Sequence, residues 1–296
     1  MAANTRDIRR RIKSVKNTSQ ITKAMQMVAA SKMRKAQQRA LNGRPYAQKL
    51  AEVLAALGQA GGSLELHPLL AHRAEVKKEL VLVISTDKGL CGALNTNLLR
   101  ELGQFDPAKT AFVSVGRKGA QYLGRLKREL GAEYELKETF SFLESKQVSK
   151  YCIEKFVSGE VDKVTVAFTD FISTLRQEPT LRTILPVTSF DLAEPEDGAD
   201  AAKKIEGAAG ASEYLFEPSA EGVLEVLVPH FVHFQVYQMV LESRASEHSA
   251  RMVAMKNATD NAKQLIKDLT LEYNKIRQAG ITTELLEITT AQMALG

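Results

Sequence analysis

Cysteine is almost absent: the 296 residues include two, Cys91 and Cys152, far apart in the chain. Two distant thiols exclude a disulfide scaffold and point to a reducing compartment. No apolar run approaches the length that crosses a bilayer. The opening, MAANTRDIRRRIKSV, lacks the apolar core of a secretory signal. It runs directly into a helical pattern, so no transit peptide is expected, and membrane association is expected only through partners. No tandem repeat is visible. Hydrophobic residues at 44% and charged residues at 25% exclude a wholly disordered chain. The net charge of +5 is too small to mark a nucleic-acid binder from the total; its placement matters more.

What is present falls into three textures. Residues 6–57 are rich in Ala, Lys, Arg, Gln and Met, strong helix formers. Pro45, after Asn42-Gly43-Arg44, predicts a kink or short break there. The middle carries apolar runs at 79–85 (ELVLVIS), 110–116 (TAFVSVG), 163–171 (KVTVAFTDF) and 183–190 (TILPVTSF). Helical patterns at 95–102, 119–130 and 148–158 separate the early runs. Strands alternating with helices predict a Rossmann-like α/β domain with a mostly parallel sheet. Residues 191–211 are acidic and small, and are read as a surface loop. A second long helical stretch follows Glu217-Pro218 and runs to about Gln292, with Pro229 near its start. The expected divisions are 1–60, 75–192, 193–212 and 213–296.

The C-terminal stretch steps by 4 and 3 from Leu241 through Ala245, His248, Met252, Met255, Thr259, Ala262, Ile266, Leu269, Tyr273, Ile276 and Gly280. A spacing of about 3.5 residues implies a left-handed supercoil. A looser seam on the N-terminal stretch is Ile8, Ile12, Val15, Thr18, Ile21, Met25 and Val28. The two ends are therefore expected to form a long antiparallel coiled coil. A helix of some 70 residues spans roughly 105 Å at about 1.5 Å per residue, against a diameter near 50 Å for a compact globule of this length. The pair is expected to project as a rod. Its Met, Ala and Thr seam makes it thin and adaptable, suited to a narrow hole in another assembly.

Acid is scarce on the first helix. Between Arg6 and Arg39 stand eleven basic residues and one acid, Asp7. Such a face wants an acidic partner, whether phosphate, anionic lipid or protein. Nucleic acid is disfavoured: no aromatic precedes Tyr46, and no zinc-finger, RRM or bZIP spacing occurs. Lipid is disfavoured because the apolar face is needed for the helix pair.

Catalytic chemistry is hard to find. STDKGLCGALNTN (85–97) follows a strand and opens a helix, where α/β proteins place phosphates. It is neither GxGxxG nor GxxxxGK[ST]. Cys91 has no His nearby and reads as a small buried residue. His230 and His233 lie three apart among Phe231, Val232 and Phe234, which favours packing over metal ligation. His248 sits on the heptad seam, where one polar residue can fix register. No cofactor, metal or catalytic set is expected. Two other readings stay open: an α/β enzyme using the 85–97 loop with the helices as a dimerisation arm, and a coiled-coil adaptor that binds nucleic acid.

IRRRIKSVKNTSQITKAMQMVAASKMRKAQ (8–37) and SEHSARMVAMKNATDNAKQLIKDLTLEYNKIRQAGITTELLEI (246–288) resemble the gamma subunit of F-type ATP synthase. The 85–97 loop and LFEPSAEGVLEVLVPHFVHFQVYQ (215–238) are similar to the same family. The resemblance implies a non-catalytic central rotor shaft, its α/β domain against the epsilon subunit and the c-ring of Fo, its helices filling the alpha3beta3 hexamer. It implies contact positions at Lys23 and Met25, a pair at Arg277 and Gln278 that catches an empty beta subunit, and c-ring contacts at Glu213 and Tyr214. The tip, 289–296, would enter an apolar bearing. No plant-type redox insert is seen. The implied location is peripheral, on the cytoplasmic face of the bacterial plasma (inner) membrane.

Overall fold

A computed structural model describes residues 2–59, 67–71, 73, 76–137, 139–187, 216–217 and 219–295. The acidic stretch at 191–211 and the positions Glu213 and Tyr214 lie outside the described residues. The chain falls into two compact units: residues 1–31 with 251–296, and residues 32–250. Helix α1 (Ala2–Gln59) and helix α5 (Ala220–Leu295) each contribute to both.

The second unit is built on a five-stranded sheet. In chain order come β1 (Glu79–Ile84), α2 (Leu94–Glu101), a 3-10 turn (Leu102–Gln104), β2 (Thr110–Val115) and α3 (Arg117–Arg125). There follow β3 (Leu130–Tyr134), α4 (Phe142–Val157), β4 (Lys163–Phe171) and β5 (Gln177–Leu185). The spatial order is β3-β2-β1-β4-β5. The first four strands are parallel, and β5 returns antiparallel to β4. The mostly parallel α/β class is thus as expected.

Strand β1 reads ELVLVI with five of its six residues buried, as a strand covered on both faces must. Alternation sorts it. Leu80, Leu82 and Ile84 join Val113, Val115, Val164, Val166 and Phe168 on one face, with the second half of α1, with α4, and with the first part of α5 from Leu224 to Val240. Val81 and Val83 join Phe112 and Ala167 on the other, against Leu98 and Leu99 of α2 and Leu123 of α3. Residues 231–236 of α5 are buried all round, the mark of a helix wrapped by neighbours.

Three expectations need correction. The helix α1 does not break at Pro45. Beyond it Ala47, Leu50, Leu54 and Leu57 bury one stripe. That burial, about 1.5–3 kcal/mol for each large side chain, outweighs a cost of about 3 kcal/mol for an interior proline. Helix α3 stops at Arg125, short of the expected 130, and Leu130 instead opens an edge strand, Leu130–Tyr134, that the sequence pattern does not mark. The last strand begins at Gln177 and ends at Leu185, earlier than the apolar run at 183–190 suggests. Pro179 is tolerated within it because β5 is an edge, paired only to β4.

A half-buried ion pair fixes the entry to β1. Arg73 donates to Asp162 Oδ1 at 2.7 Å and to the Phe156 carbonyl at 2.9 Å. Asp162 Oδ2 accepts the backbone N–H groups of Lys77 at 2.8 Å and Lys78 at 3.0 Å. The Arg73 guanidinium, then these amides, holds the carboxyl down to about 2. Its stabilisation is present above the ordinary value of 3.8 and is lost as pH falls toward 2. Asp162→Asn is expected to lower stability by about 2 kcal/mol, read as a lower urea midpoint at pH 7 that converges with wild type below pH 2.

Candidate partner interface

In the first unit the two helices run antiparallel, since Arg9 meets Tyr273 while Thr22 meets Thr259. The Arg9 guanidinium donates to the Tyr273 hydroxyl and lies 5.4 Å from the ring centroid. The Thr22 and Thr259 hydroxyls are 2.7 Å apart, and Thr259 also donates to the Met255 carbonyl at 2.8 Å. Both threonines are buried. A satisfied polar pair at a seam favours one register over its slipped alternatives.

On α5 the expected seam is the observed one. Met255, Thr259, Ala262 and Leu269 are buried, and Met252, Ile266, Tyr273, Ile276 and Gly280 half-buried. On α1 the expectation is right to Val15 and then one residue out of step. The observed seam keeps strict 4-3 alternation: Ile8, Ile12, Val15, Ser19, Thr22, Gln26, Ala29, all buried or half-buried. Thr18, Ile21 and Val28 face outward. Small residues at 19, 22 and 29 bring the helices close, and the bulky ones beside them are left over.

Those left-over side chains form an apolar strip on a basic helix. Ile21 is 60% exposed, Met27 61% and Val28 54%. Lys23 is exposed beside them, and Met25 is half-buried. On α5, Arg277 and Gln278 are exposed, and Ile281, Leu285, Leu286, Ile288 and Met293 follow toward the C-terminus, all at least half exposed. Exposed apolar side chains on a basic helix make this a candidate face for a partner. Four of the six expected contact residues therefore lie in the first unit, two on each helix; Glu213 and Tyr214 lie outside the described residues. Sequence reasoning missed Ile21 and Val28 as outward groups. Counting 4-3 without a slip from Ile8 would have found them.

The loop after β1 spends its polar groups on its own architecture. Ser85 Oγ accepts the Gly119 N–H at 2.8 Å and donates to the Gly116 carbonyl at 3.1 Å. The Thr86 hydroxyl donates to the Lys88 carbonyl at 2.8 Å and lies 2.8 Å from Asn95 Nδ2, which donates to it and lies 3.3 Å from Cys91 Sγ. Asp87 accepts the Arg117 N–H at 3.0 Å. The loop ties β1 to α3 and presents no nucleophile with a base. Cys152 is fully buried, and burial pushes its thiol up to about 12.

The histidines are packing groups in the second unit. His233 Nδ1 lies 2.7 Å from the buried Ser149 hydroxyl of α4, and His230 Nε2 lies 2.7 Å from the Tyr46 hydroxyl of α1. They point to different partners rather than to a common centre. Among the described residues no group of three or more His, Cys, Asp or Glu side chains is placed to hold a metal ion. Burial, then Lys146, pushes His233 down to about 4, and burial lowers His230 as well. The unfolded chain therefore binds more protons than the folded one below the ordinary value of 6.5. Stability from His233 is complete above that value and falls as pH drops toward 4, by about 3 kcal/mol at most. Thermal melts from pH 7.5 to 4.5 are expected to show this loss, and His233→Gln to flatten it.

No helix among the described residues is long and apolar enough to cross a membrane. The sequence model of the ATP synthase family matches residues 4–295. The chain is 50% identical to the ATP synthase gamma chain of Methylacidiphilum infernorum, over 99% of this chain and all of that one. It is 50% identical to that of Opitutus terrae, over 99% of each. Among solved structures it resembles a chain of the central stalk/c-ring of the Tetrahymena thermophila mitochondrial ATP synthase. There the TM-score is 0.59 and the identity 26%, over 80% of this chain and 99% of that one. The fold is also that of a chain in the OSCP/F1/c-ring structure of the Euglena gracilis enzyme, with TM-score 0.67 and 22% identity over 100% and 95%. With its antiparallel terminal helices and mostly parallel central sheet, the chain belongs to the gamma-chain family of the ATP synthases.

Proposed function

We propose that this chain is the central rotor shaft of a proton-translocating F1Fo ATP synthase and is not itself catalytic. Rotation of the c-ring turns the shaft, and the turning helix pair changes the conformation of each beta-subunit site so that ATP is made and released. A shaft with no three-fold symmetry contacts three chemically identical sites differently, and each orientation favours a different state at each site by differential contact. The helices of the first unit meet the alpha3beta3 hexamer through Lys23 and Met25 on α1 and Arg277 and Gln278 on α5. The α/β part meets the epsilon subunit and the c-ring, the latter at Glu213 and Tyr214. The divisions 1–60, 75–192, 193–212 and 213–296 separate shaft, α/β body and connecting loop. The location is peripheral, on the cytoplasmic face of the bacterial inner membrane.

One observation carries this reading: α1 has a complete seam with α5 and still exposes Ile21, Met27 and Val28 around the basic Lys23. That surface is surplus to folding. Met25→Lys in the reconstituted complex tests it. Assembly is expected to persist, while protons moved per ATP fall at least about fivefold, the low end of a 1–3 kcal/mol coupling energy. An unchanged ratio would reject the contact role of this face.

A further inference from the structure

The part of α1 that belongs to the first unit carries an exposed stripe which the seam with α5 does not use. Arg6, Arg10, Lys13, Ile21, Ala24 and Val28 are all exposed, and at 3.6 residues per turn they lie along one side of the helix. The stripe is sorted by chemistry. Its first three residues are cations, and its last three are apolar. Lys16 and Lys23 are exposed at its margin. Between positions 6 and 31 the single acid is Asp7. The seam itself is complete without any of them, so the apolar groups that pair α1 with α5 and those that face outward are different residues. The sequence-based reason for setting lipid aside, that the apolar face is needed for the helix pair, is therefore removed by the structure.

We propose that the free chain adsorbs to an anionic phospholipid surface through this stripe. Clustered Lys and Arg on a helix are drawn to anionic headgroups, each cation near the surface adding a similar increment. Short apolar side chains beside them enter the boundary between headgroups and acyl chains, with the helix lying on the bilayer rather than crossing it. Nucleic acid would use the cations but leave Ile21 and Val28 idle, and α1 offers no aromatic before Tyr46 on which bases could stack. The hexamer is proposed to cover this same face, so adsorption belongs to the chain before assembly. It is a property of the chain alone and does not rest on the rotor reading: vesicle binding and the Met25→Lys coupling test fail independently.

The test is flotation of the full chain with vesicles of phosphatidylcholine containing about one-third phosphatidylglycerol, the composition that supplies the anionic surface. Binding is expected there, and not on phosphatidylcholine alone, and is expected to fall as chloride is raised from about 0.1 M to about 0.5 M. Arg10→Gln/Lys13→Gln is expected to weaken partition at least about tenfold, and Ile21→Ser/Val28→Ser at least about threefold. All four positions are exposed, so the melting temperature of both variants is expected to stay near that of wild type. Arg100→Gln/Lys109→Gln removes the same charge from exposed positions of the second unit and is expected to leave partition within about twofold. No preference for anionic vesicles, or equal loss in both charge variants, overturns the proposal. So does single-stranded RNA bound as tightly as the vesicles with Ile21→Ser/Val28→Ser without effect on either, which would give the stripe to polyanions at large.

Discussion

Gly116→Ala is expected to cost at least about 3 kcal/mol of stability, the largest effect of any single methyl group in the second unit. Gly116 has φ of +98°, a region that side chains rarely adopt. A Cβ there would lie 2.2 Å from the Ser85 carbonyl oxygen and 2.7 Å from its carbon. Both are backbone atoms and cannot swing away. The residue also joins strands: its N–H donates to the Tyr134 carbonyl at 2.8 Å, while Ser85 N–H donates to Val115 at 2.8 Å. Displacing it strains the ends of β1, β2 and β3 together. Gly103→Ala is the matched control, with nothing within 4 Å of its Cβ. Urea unfolding should separate the two by several tenths of a molar or more in midpoint. A Gly116→Ala midpoint indistinguishable from wild type would mean that the β1–β2 junction is looser than described.

The second large effect concerns the outward strip of α1. Ile21→Asp with Val28→Asp should leave the melting temperature of the isolated chain nearly unchanged, because both side chains are more than half exposed. In the assembled complex each would place a carboxylate in a surface covered by a partner. Burying an unpaired charge at an interface costs about 2–4 kcal/mol or more. The two together should reduce ATP-driven proton pumping on the order of a hundredfold or more. Thr22→Asp, one residue away, should behave in the opposite order. It strikes the buried Thr259 partner and should destabilise the chain before any partner is added. Melting curves and pumping by reconstituted vesicles, measured on the same three proteins, check this inversion. Full pumping by the double variant would place that strip in water.

Much of this was legible in the sequence, and the failures have physical causes. Strands β1, β2 and β4 show as continuous apolar runs because they are covered on both faces, and each expected range agrees within a residue. The edges are harder. β3 reads LGAEY and is half exposed, so it has no apolar run: Leu130 ends the helical pattern expected at 119–130, and nothing marks 131–134 as a strand. β5 begins with Gln177, Glu178 and Pro179, residues that only an edge accepts. The α5 seam follows from its heptads alone. The α1 seam does not, because Ser19 and Thr22 take core positions that Ile21 and Val28 would win on hydrophobicity. Hydrophobicity alone puts Ile21 and Val28 inside, but the seam's spacing leaves both exposed.

The Thr22–Thr259 pair and its alanine neighbours also bear on how a cell must make this protein. Among the described residues of the first unit, Ile8, Met255 and Leu269 are the large apolar side chains that are buried, so this helix pair is held together less firmly than the second unit. Newly synthesised chains that outnumber their companions would fray at that end and become substrates for proteases. Excess copies would thus be cleared, and the companion subunits would set how many survive.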